Sequence, residues 1–597
     1  GQDVLGKELW LSYAGNLAAL LRLLQGRQQR AALGALVKRV AAAMHAAPSG
    51  GPATLHPVEI EIDNDSSDRY TILRIDAPDT PGFLYEFTNA LTLNGIYIAQ
   101  VSVNSIGNRV HDIFYVTDVQ GRKLIDPNRQ RELRAATVLV KHFTHLLPLS
   151  PNPEAALLHF NEYLGELFRR PSWPDELVSL ERPEVLTALA RLLGVSEFLW
   201  DDFLRMQYAN LFPVVENVAA LAQPKDRAAL AAELAAELAA AADGQERRQR
   251  LNAFKDREMF RIDMRHIMGH APEFGQFAAE LTDLAETVVA ATADLVMAEL
   301  KAQYGEPRSD DGAPIPLAVC ALGKCGGREL GYASDIELMF VYGGPGQTTG
   351  PRVLSAAEFF DRLVTEFKAA IWARREGIFE IDLDLRPYGK AGSLAVSFDA
   401  FRRYFAPGGP AWSYERQALI KLRAIAGDPA FGRAIEATRD AFVYGPLPFD
   451  VAALRAMRER QLRHLIIPGM INAKFSPGAL VDVEYTVQGL QMMYGHAHPE
   501  IRLTNTQAAI NALAQAGIIS VENATRLSEA LLFLRELINA LRVVRGNSKD
   551  LTVPPEGSEE FAFLARRLGY GNDAGRLRAD LMHHLEWVRR LNARLLG

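Results

Sequence analysis

Residues 321-ALGKCGGRELGYASDIELMFVY-342 place two carboxylates inside a stretch that is otherwise typical of a buried strand. Asp335 and Glu337 are separated by one apolar residue, so on a strand their side chains point to one side, ~7 Å apart. Like charges at that separation repel unless a cation lies between them. Hard divalent cations such as Mg²⁺ prefer oxygen ligands, often one or two carboxylates with substrate phosphates. The stretch therefore predicts a metal-dependent phosphate site.

A second acidic segment, 379-FEIDLDLRP-387, follows about forty residues later along the chain. Its apolar residues alternate with charged ones, which predicts a strand with one wholly charged face. The charged face consists of Glu380, Asp382, Asp384 and Arg386. Beside the first strand it supplies Asp382 as a third metal ligand, with Arg386 nearby for phosphate. The alternative is a surface strand whose acidic residues are incidental.

The totals indicate a large globular chain of ordinary composition. Its 597 residues correspond to about three to five domains. A net charge of −7 argues against nucleic acid as the main ligand. The chain has two cysteines, Cys320 and Cys325, expected to be buried, and no apolar run long enough to span a membrane, which together predict a cytoplasmic protein. It begins at Gly1, so its start says nothing about targeting.

Two further regions show clear periodicity. Residues 68–147 read as strand, helix, two strands and helix, which predicts a small ferredoxin-like α+β unit. Residues 251–270 form an amphipathic helix on which Arg257, Arg261 and Arg265 share one face. We interpret that face as solvated and paired with acids, with phosphate contact as the alternative.

The first carboxylate stretch resembles the signature of the polymerase-beta-like nucleotidyltransferase superfamily. The matching residues are Leu322, Gly323, Lys324, Asp335, Ile336, Glu337 and Leu338. In that superfamily a later strand adds a third carboxylate, here Asp382.

A longer match resembles the glutamine synthetase adenylyltransferases, which adenylylate and deadenylylate their target. It rests on GKCGGREL and SDIELMFVY, and on segments 257–269, 380–397, 412–428 (matching a helix) and 474–488, so it covers roughly 180–597. Glu337 stands where the family usually has Asp, and Asp384 where it usually has Arg. The family carries two such modules in tandem, whereas a single GKxGGREL occurs here.

The resemblance implies a mechanism and a set of ligands. Mg²⁺, with Mn²⁺ as an alternative, would bind Asp335, Glu337 and Asp382, and Asp382 would orient the attacking hydroxyl. The substrates would be ATP, or ADP and phosphate, and the partners glutamine synthetase and a PII signal protein. The residues implied to bind phosphate are Gly323, Lys324, Gly326, Gly327, Arg328, Ser334, Arg386 and Lys421.

The stretch 76-DAPDTPGFLYEFTNALTLNGIYIAQVSVNSIGNRVHDIFYVTD-118 resembles an ACT domain, in particular those of PII uridylyltransferases. ACT domains bind amino acids, often glutamine. The implied effector-facing residues are Asp79, Pro81, Gly82, Asn94 and Gly95. For Pro81 and Gly82 the alternative is turn chemistry that starts a helix.

Together these observations predict an α+β multidomain chain with an ACT domain, a polymerase-beta-like domain and helical bundles. The predicted boundaries are 1–60 helical, 61–148 ACT-like, 149–304 helical, 305–430 nucleotidyltransferase and 431–597 helical. Two alternatives to adenylyl transfer remain, namely an inactive amino-acid sensor and an enzyme that uridylylates a PII protein.

Overall fold

The computed structural model describes residues 7–26, 28–46, 58–80, 82–106, 109–146, 153–168, 221–267, 269–271, 273–373, 379–445, 449–545 and 550–596. The chain separates into two compact units, residues 1–220 and 221–597. Both contain helices, and each contains a sheet, which confirms the predicted α+β class. No helix in these ranges is long and apolar enough to cross a membrane.

The first unit contains a four-stranded antiparallel sheet. Its elements are α1 (Lys7–Gln25), α2 (Gln29–Ala46), β1 (Glu59–Asp63), β2 (Thr71–Pro78), α3 (Phe83–Leu93), β3 (Ile96–Ile106), β4 (Arg109–Asp118), α4 (Pro127–Leu146) and α5 (Pro153–Leu167). The strand order is β1-β2-β4-β3. From β2 to α4 the elements follow the predicted order, and the edge beside β2 is filled by β1, which precedes it in the chain.

Alternation along β4 explains how this sheet packs. Val110, Asp112, Phe114 and Val116 are buried, whereas the residues that alternate with them, His111, Ile113 and Tyr115, are partly exposed. Phe114 meets Phe87 of α3 edge to face, with ring centroids 4.9 Å apart. Strands with period-two burial and a helix with an apolar stripe therefore share one core.

The second unit opens with three helices, α6 (Arg227–Ala239), α7 (Gly244–Ile267) and α8 (Phe274–Tyr304). The arginine stripe on α7 is paired with acids, as predicted, but the expected solvated face is wrong for two of its members. Arg261 is buried and bonded to Glu258, 2.7 Å away. Arg265 is fully buried and reaches Glu280 of α8 at 2.8 Å. The Arg265 pair therefore links α7 to α8, whereas the Arg261 pair lies within α7.

A five-stranded mixed sheet follows, with β7 at its centre. The elements are β5 (Pro307–Arg308), β6 (Leu317–Ala321), α9 (Gly323–Gly326), β7 (Ile336–Tyr342), β8 (Gln347–Thr348), α10 (Ala356–Ala370), β9 (Ile381–Asp382), β10 (Ala395–Ser397), α11 (Phe398–Phe405), α12 (Ser413–Ala418) and β11 (Arg423–Gly427). On one side of β7, β6 pairs with it antiparallel and β11 pairs antiparallel with β6; on the other side, β9 and β10 run parallel to β7. β5 and β8 form a separate two-stranded antiparallel sheet. Cys320 and Cys325 are unpaired and buried, as expected.

The predicted strand over 379–387 is wrong in length, because only Ile381 and Asp382 form strand. The Asp382 carboxylate accepts a hydrogen bond from the Asp384 amide at 2.7 Å, and this local bond turns the chain. Beyond Leu383, buried apolar and exposed charged residues no longer alternate, since the apolar Leu385 is 36% exposed and the charged Arg386 is only 7% exposed.

The helix expected across 412–428 is also wrong in length. It ends at Ala418, and a short 3₁₀ turn, Leu419–Lys421, leads into β11. β11 pairs with β6 from Arg423 to Gly427. The edge of β6 offers unpaired backbone groups that a strand satisfies and a helix does not.

The chain is helical from residue 429 onward, as predicted. The helices are α13 (Pro429–Val443), α14 (Val451–Leu465), α15 (Leu480–Tyr494), α16 (Thr506–Gln515), α17 (Val521–Arg545), α18 (Glu559–Arg567) and α19 (Ala574–Leu595). The apolar faces of α15 to α19 share one core, which includes Leu490, Leu513, Leu534 and Leu581, whereas α13 packs against the sheet through Ile435 and Val443.

Candidate functional site

The three predicted carboxylates lie on two paired strand segments. Asp335 immediately precedes β7, Glu337 lies on it, and Asp382 lies on β9. The register pairs Glu337 with Asp382, in parallel. Neighbours in register point to one side and their strands lie about 4.8 Å apart. The structure therefore brings Asp382 beside Glu337 and close to Asp335.

The turn before β7 is shaped around the Glu337 carboxylate. Gly323 has a φ of 49°, and a Cβ built there would lie 1.4 Å from Glu337 Oε2. The next amide, that of Lys324, donates to the same oxygen at 3.2 Å. A side chain at this position would be strained by the backbone angle and would require the Glu337 carboxylate to move.

Lys324 links the turn to the first carboxylate. Its Nζ lies 3.0 Å from Asp335 Oδ1 and 3.2 Å from Ser334 Oγ. Burial opposes ionisation of Asp335, but the Lys324 ammonium outweighs it and holds the pKa of Asp335 below its ordinary value. Burial raises the pKa of Glu337. Of these two carboxylates, Glu337 is the one whose charge is less compensated, so a bound cation would favour its ionised form.

Two cavities meet these carboxylates. One, of about 890 Å³, is lined by Asp335 and Asp382 together with the 383–394 loop and α10. The other, of about 420 Å³, is lined by Gly323, Lys324 and Glu337 and by side chains of α14, α15 and α17. Both volumes fall in the range of small-molecule sites. The carboxylates lie where a ligand in one cavity faces a ligand in the other.

Two of the amides that were predicted to bind phosphate are bonded within the glycine turn itself. The Gly326 amide donates to the Leu322 carbonyl at 2.8 Å, and the Gly327 amide to the Gly323 carbonyl at 3.0 Å. A Cβ at Gly326 would lie 1.9 Å from the Lys421 carbonyl oxygen. These glycines therefore allow a tight turn to pack closely against the neighbouring chain.

Three predicted phosphate-binding side chains are also engaged elsewhere. Arg328 lies 2.8 Å from Asp283 of α8. Lys421 is buried 2.6 Å from Glu329. Arg386 is buried and donates only to backbone carbonyls of its own loop. Each of these side chains helps to shape the walls of the site, and its contact with phosphate stays a prediction.

Lys474 and Arg542 are site residues that sequence reasoning missed. Both line the 420 Å³ cavity. The charge of Lys474 contributes to lowering the pKa of Asp335, and Asp335 in turn acts on the pKa of Arg542, which burial lowers. Lys474 opens the 474–488 segment of the family resemblance, whereas Arg542 belongs to no motif and is brought in by the packing of α17.

The three carboxylates do not form a ready-made metal centre. Among the residues that the structure describes, no group of three or more histidine, cysteine or acidic side chains is placed to hold a metal ion. Asp335 is bonded to Lys324, and Asp382 to the amide of Asp384. The donor chemistry nevertheless fits Mg²⁺, which takes one or two protein carboxylates and completes its shell with phosphate oxygens and water.

The predicted effector residues of the first unit fall into two places. Gly82, with a φ of 85°, caps the start of α3, and the exposed Asp79 precedes it. Asn94 and Gly95 follow the end of α3 and line a cavity of about 500 Å³. Eleven helical residues span about 16 Å, so the two groups do not meet in one site of this unit. Pro81 lies outside the described residues.

A family model described as glutamate-ammonia ligase adenylyltransferase matches residues 186–438, which contain all three carboxylates. Residues 186–438 are therefore similar to this family. The resemblance predicted from the sequence is thereby confirmed for the adenylyltransferase region, as we call these residues. A second model, described as GlnD PII-uridylyltransferase, matches residues 452–596. The helices that line the 420 Å³ cavity, α14, α15 and α17, thus belong to a segment that matches a different family model.

The curated proteins similar to this chain include three that are named bifunctional glutamine synthetase adenylyltransferase/adenylyl-removing enzyme. That of Thioalkalivibrio sulfidiphilus is 32% identical over 62% of this chain and 39% of its own length. The Hahella chejuensis protein is 32% identical over 69% and 42%. The Stenotrophomonas maltophilia protein is 35% identical over 54% and 35%. The chain spans about two fifths of the length of the curated relatives it matches.

Proposed function

We propose that this protein transfers adenylyl groups to a tyrosine of glutamine synthetase, removes them, or does both. The observation that carries the proposal is the pairing of Glu337 with Asp382 beside Asp335, within a region similar to the adenylyltransferase family. We also propose a polymerase-beta-like fold for this region, supported by the mixed sheet and the position of its carboxylates. The three bacterial relatives carry both activities in their names.

The carboxylates would hold Mg²⁺, or Mn²⁺, together with the nucleotide's phosphate oxygens. Bound there, the ion would neutralise phosphate charge and make the attacking oxygen more acidic. Glu337 and Asp382 are the first candidates as ligands, since they are neighbours in register. Asp335 would join them when Lys324 turns from it to the phosphates.

In the adenylylating direction Asp382 orients the tyrosyl hydroxyl. The tyrosyl hydroxyl would give its proton to Asp382 as its oxygen forms a bond to the α-phosphorus of ATP, the bond from that phosphorus to the leaving oxygen breaks, and pyrophosphate departs. In the removing direction an oxygen of orthophosphate attacks the same phosphorus, ADP is released and the tyrosyl oxygen takes up a proton. Positioning and charge neutralisation carry either reaction.

The first unit would act as an ACT-like sensor of an amino acid such as glutamine. Its strand and helix order and its antiparallel sheet support that assignment. Because Asp79 and Asn94 lie at opposite ends of α3, a ligand would use one of the two places in a given unit. A PII signal protein is a second proposed partner.

The test is transfer of label from α-labelled ATP to purified glutamine synthetase with Mg²⁺, with and without glutamine. Asp335→Asn and Asp382→Asn should each lower the rate by ~100-fold or more, because each removes a charge at the reacting phosphate. Asp399→Asn, at an exposed carboxylate of α11, is the matched control. Label on glutamine synthetase that persists in the Asp335 variant would refute the assignment.

Uridylylation of a PII protein is the second candidate, favoured by the match of residues 452–596 to a PII-uridylyltransferase model. The two functions differ in both nucleotide and acceptor. A two-by-two assay of ATP or UTP with glutamine synthetase or PII separates them. Label from UTP on PII alone would replace the first proposal, and no label in any combination would favour a sensor without catalysis.

A further inference from the structure

The 420 Å³ cavity carries an excess of positive charge. Five of its lining side chains are cationic, namely Lys324, Lys421, Lys474, Arg535 and Arg542, and three are acidic, namely Glu329, Glu337 and Glu484. An anionic ligand is therefore favoured over a neutral one, because charges act more strongly at a partly enclosed surface than in water.

Most of these cations already have partners. Lys421 and Arg535 both reach Glu329, at 2.6 and 2.7 Å. Lys324 is bonded to Asp335. Among the residues that the structure describes, Lys474 and Arg542 have no ion-pair partner. They are therefore the cations with which an anionic ligand can pair without breaking an existing ion pair.

Arg542 is held in place by a bond from one terminal nitrogen that leaves its Nε donor unused. Its Nη1 donates to the Tyr332 carbonyl at 2.6 Å, and Asn539, one turn earlier on α17, accepts from the Tyr332 amide at 2.9 Å. Arg542 Nε and Asn539 Nδ2 are buried donors without a hydrogen-bond partner. Asn539 is 94% buried, given its relative exposure of 6%. A buried donor without an acceptor is costly, so an acceptor from a ligand fits here.

The position of these donors fixes which part of a ligand they would meet. Lys474 and Arg542 line the same cavity as Glu337, and Arg542 bonds to Tyr332, three residues before Asp335. The donors thus share the cavity wall with the carboxylate region. Negative charge at that place is supplied by phosphate groups, for which the forked arginine donors are well suited.

We propose that Lys474 and Arg542, together with the Asn539 amide, bind the phosphates of the nucleotide in this cavity. The inference rests on the proposed function, because it takes the ligand to be the nucleotide of that reaction. It replaces the turn amides with side chains from the 449–596 helical region, and it makes α17 part of the active site. The helical region then both lines the cavity and binds the phosphates of the nucleotide.

Binding is tested by equilibrium dialysis of labelled ATP, ADP and adenosine with the full chain and Mg²⁺. Lys474→Met and Arg542→Met should each weaken ATP binding by about tenfold or more, as expected for loss of a charge-assisted hydrogen bond. Adenosine binding should change by less than about threefold, since it lacks phosphate. Arg526→Met is the matched control, because Arg526 lies on the same helix, exposed and paired with Glu522.

The outcomes separate the two proposals. Folded variants that bind ATP as tightly as the wild type would refute the phosphate role and leave the proposed function intact. Equal loss of ATP and adenosine binding with a lower Tm would also refute it, because that is the mark of a structural residue. Failure of the wild type to bind any of the three probes would refute both proposals. Arg542→Lys, which keeps the charge, should recover part of the ATP affinity.

Discussion

Glu337 and Gly323 act as a pair at the scale of single residues. The glutamate is one methylene longer than an aspartate, and its carboxylate fills the space that a side chain at Gly323 would need. The same carboxylate accepts the Lys324 amide. The absence of a side chain at Gly323 therefore leaves room for the longer acid at Glu337, and a substitution at either position would displace the residue at the other.

Gly323→Ala should inactivate the protein and destabilise it by about 1–2 kcal/mol or more, because alanine is strained at positive φ and its Cβ meets Glu337. Urea unfolding and label transfer measure the two effects. Gly344→Ala is the control, since nothing lies within 4 Å of a Cβ there. Adding Glu337→Asp should restore part of the activity by freeing the space, and a double variant no better than Gly323→Ala would contradict this account.

Glu337→Gln should stabilise the protein at neutral pH while lowering its activity. Burial raises the pKa of Glu337 above 4.5, so the folded state favours its protonated form. Ionising it costs stability, and that cost is absent below about pH 4.5 and grows as the pH rises through the folded-state pKa. The Tm gain of the variant should therefore appear above that pH and vanish below it. A Tm difference that is independent of pH would show that burial is not the cause.

At the scale of elements, the sequence predicts the strands, helices and site residues that follow from hydrophobic alternation and charge. It misses those that depend on contacts between distant parts of the chain. β6, β7 and the helices after residue 429 follow from their apolar patterns, and Asp335 and Glu337 from a charge in an apolar strand. β9 is shorter than predicted because the Asp382 side chain turns the chain. β11 is a strand in place of the predicted helix because the edge of β6, about a hundred residues away, selects a strand. Arg542 carries no local signal at all.

Lys421 joins three elements, and its loss should be costly. Together with Arg535 of α17 it neutralises the buried Glu329, whose pKa these two cations lower to about 2 against the opposing effect of burial. Lys421→Met should destabilise the protein by about 3–5 kcal/mol in urea unfolding, because it breaks a buried ion-pair network. Lys301→Met, at a more exposed pair with Glu306, should cost less than about 1 kcal/mol. A small change in the free energy of unfolding of the Lys421→Met variant would favour the predicted phosphate-binding role for Lys421.

At the scale of the molecule, the second unit places the reacting groups between two cavities of different character. The smaller is walled by helices and cationic, which suits the nucleotide. The larger is bordered by the 383–394 loop, where Lys390 is 84% exposed in its side chain. A protein acceptor has to present a tyrosine from outside, so it would approach through the larger cavity.

Lys368 and Lys390 line that larger cavity and should affect the protein substrate but not the nucleotide. Lys368→Glu combined with Lys390→Glu should raise KM for glutamine synthetase several-fold, because a reversed charge at an interface rim mainly slows association. The rate at saturation and the Kd for ATP should change little, since neither lysine lines the smaller cavity. Lys301→Glu, which lines neither cavity, controls for the change in net charge. An altered Kd for ATP with an unchanged KM would reverse the assignment of the two cavities, and with it the direction from which the tyrosine reaches Asp382.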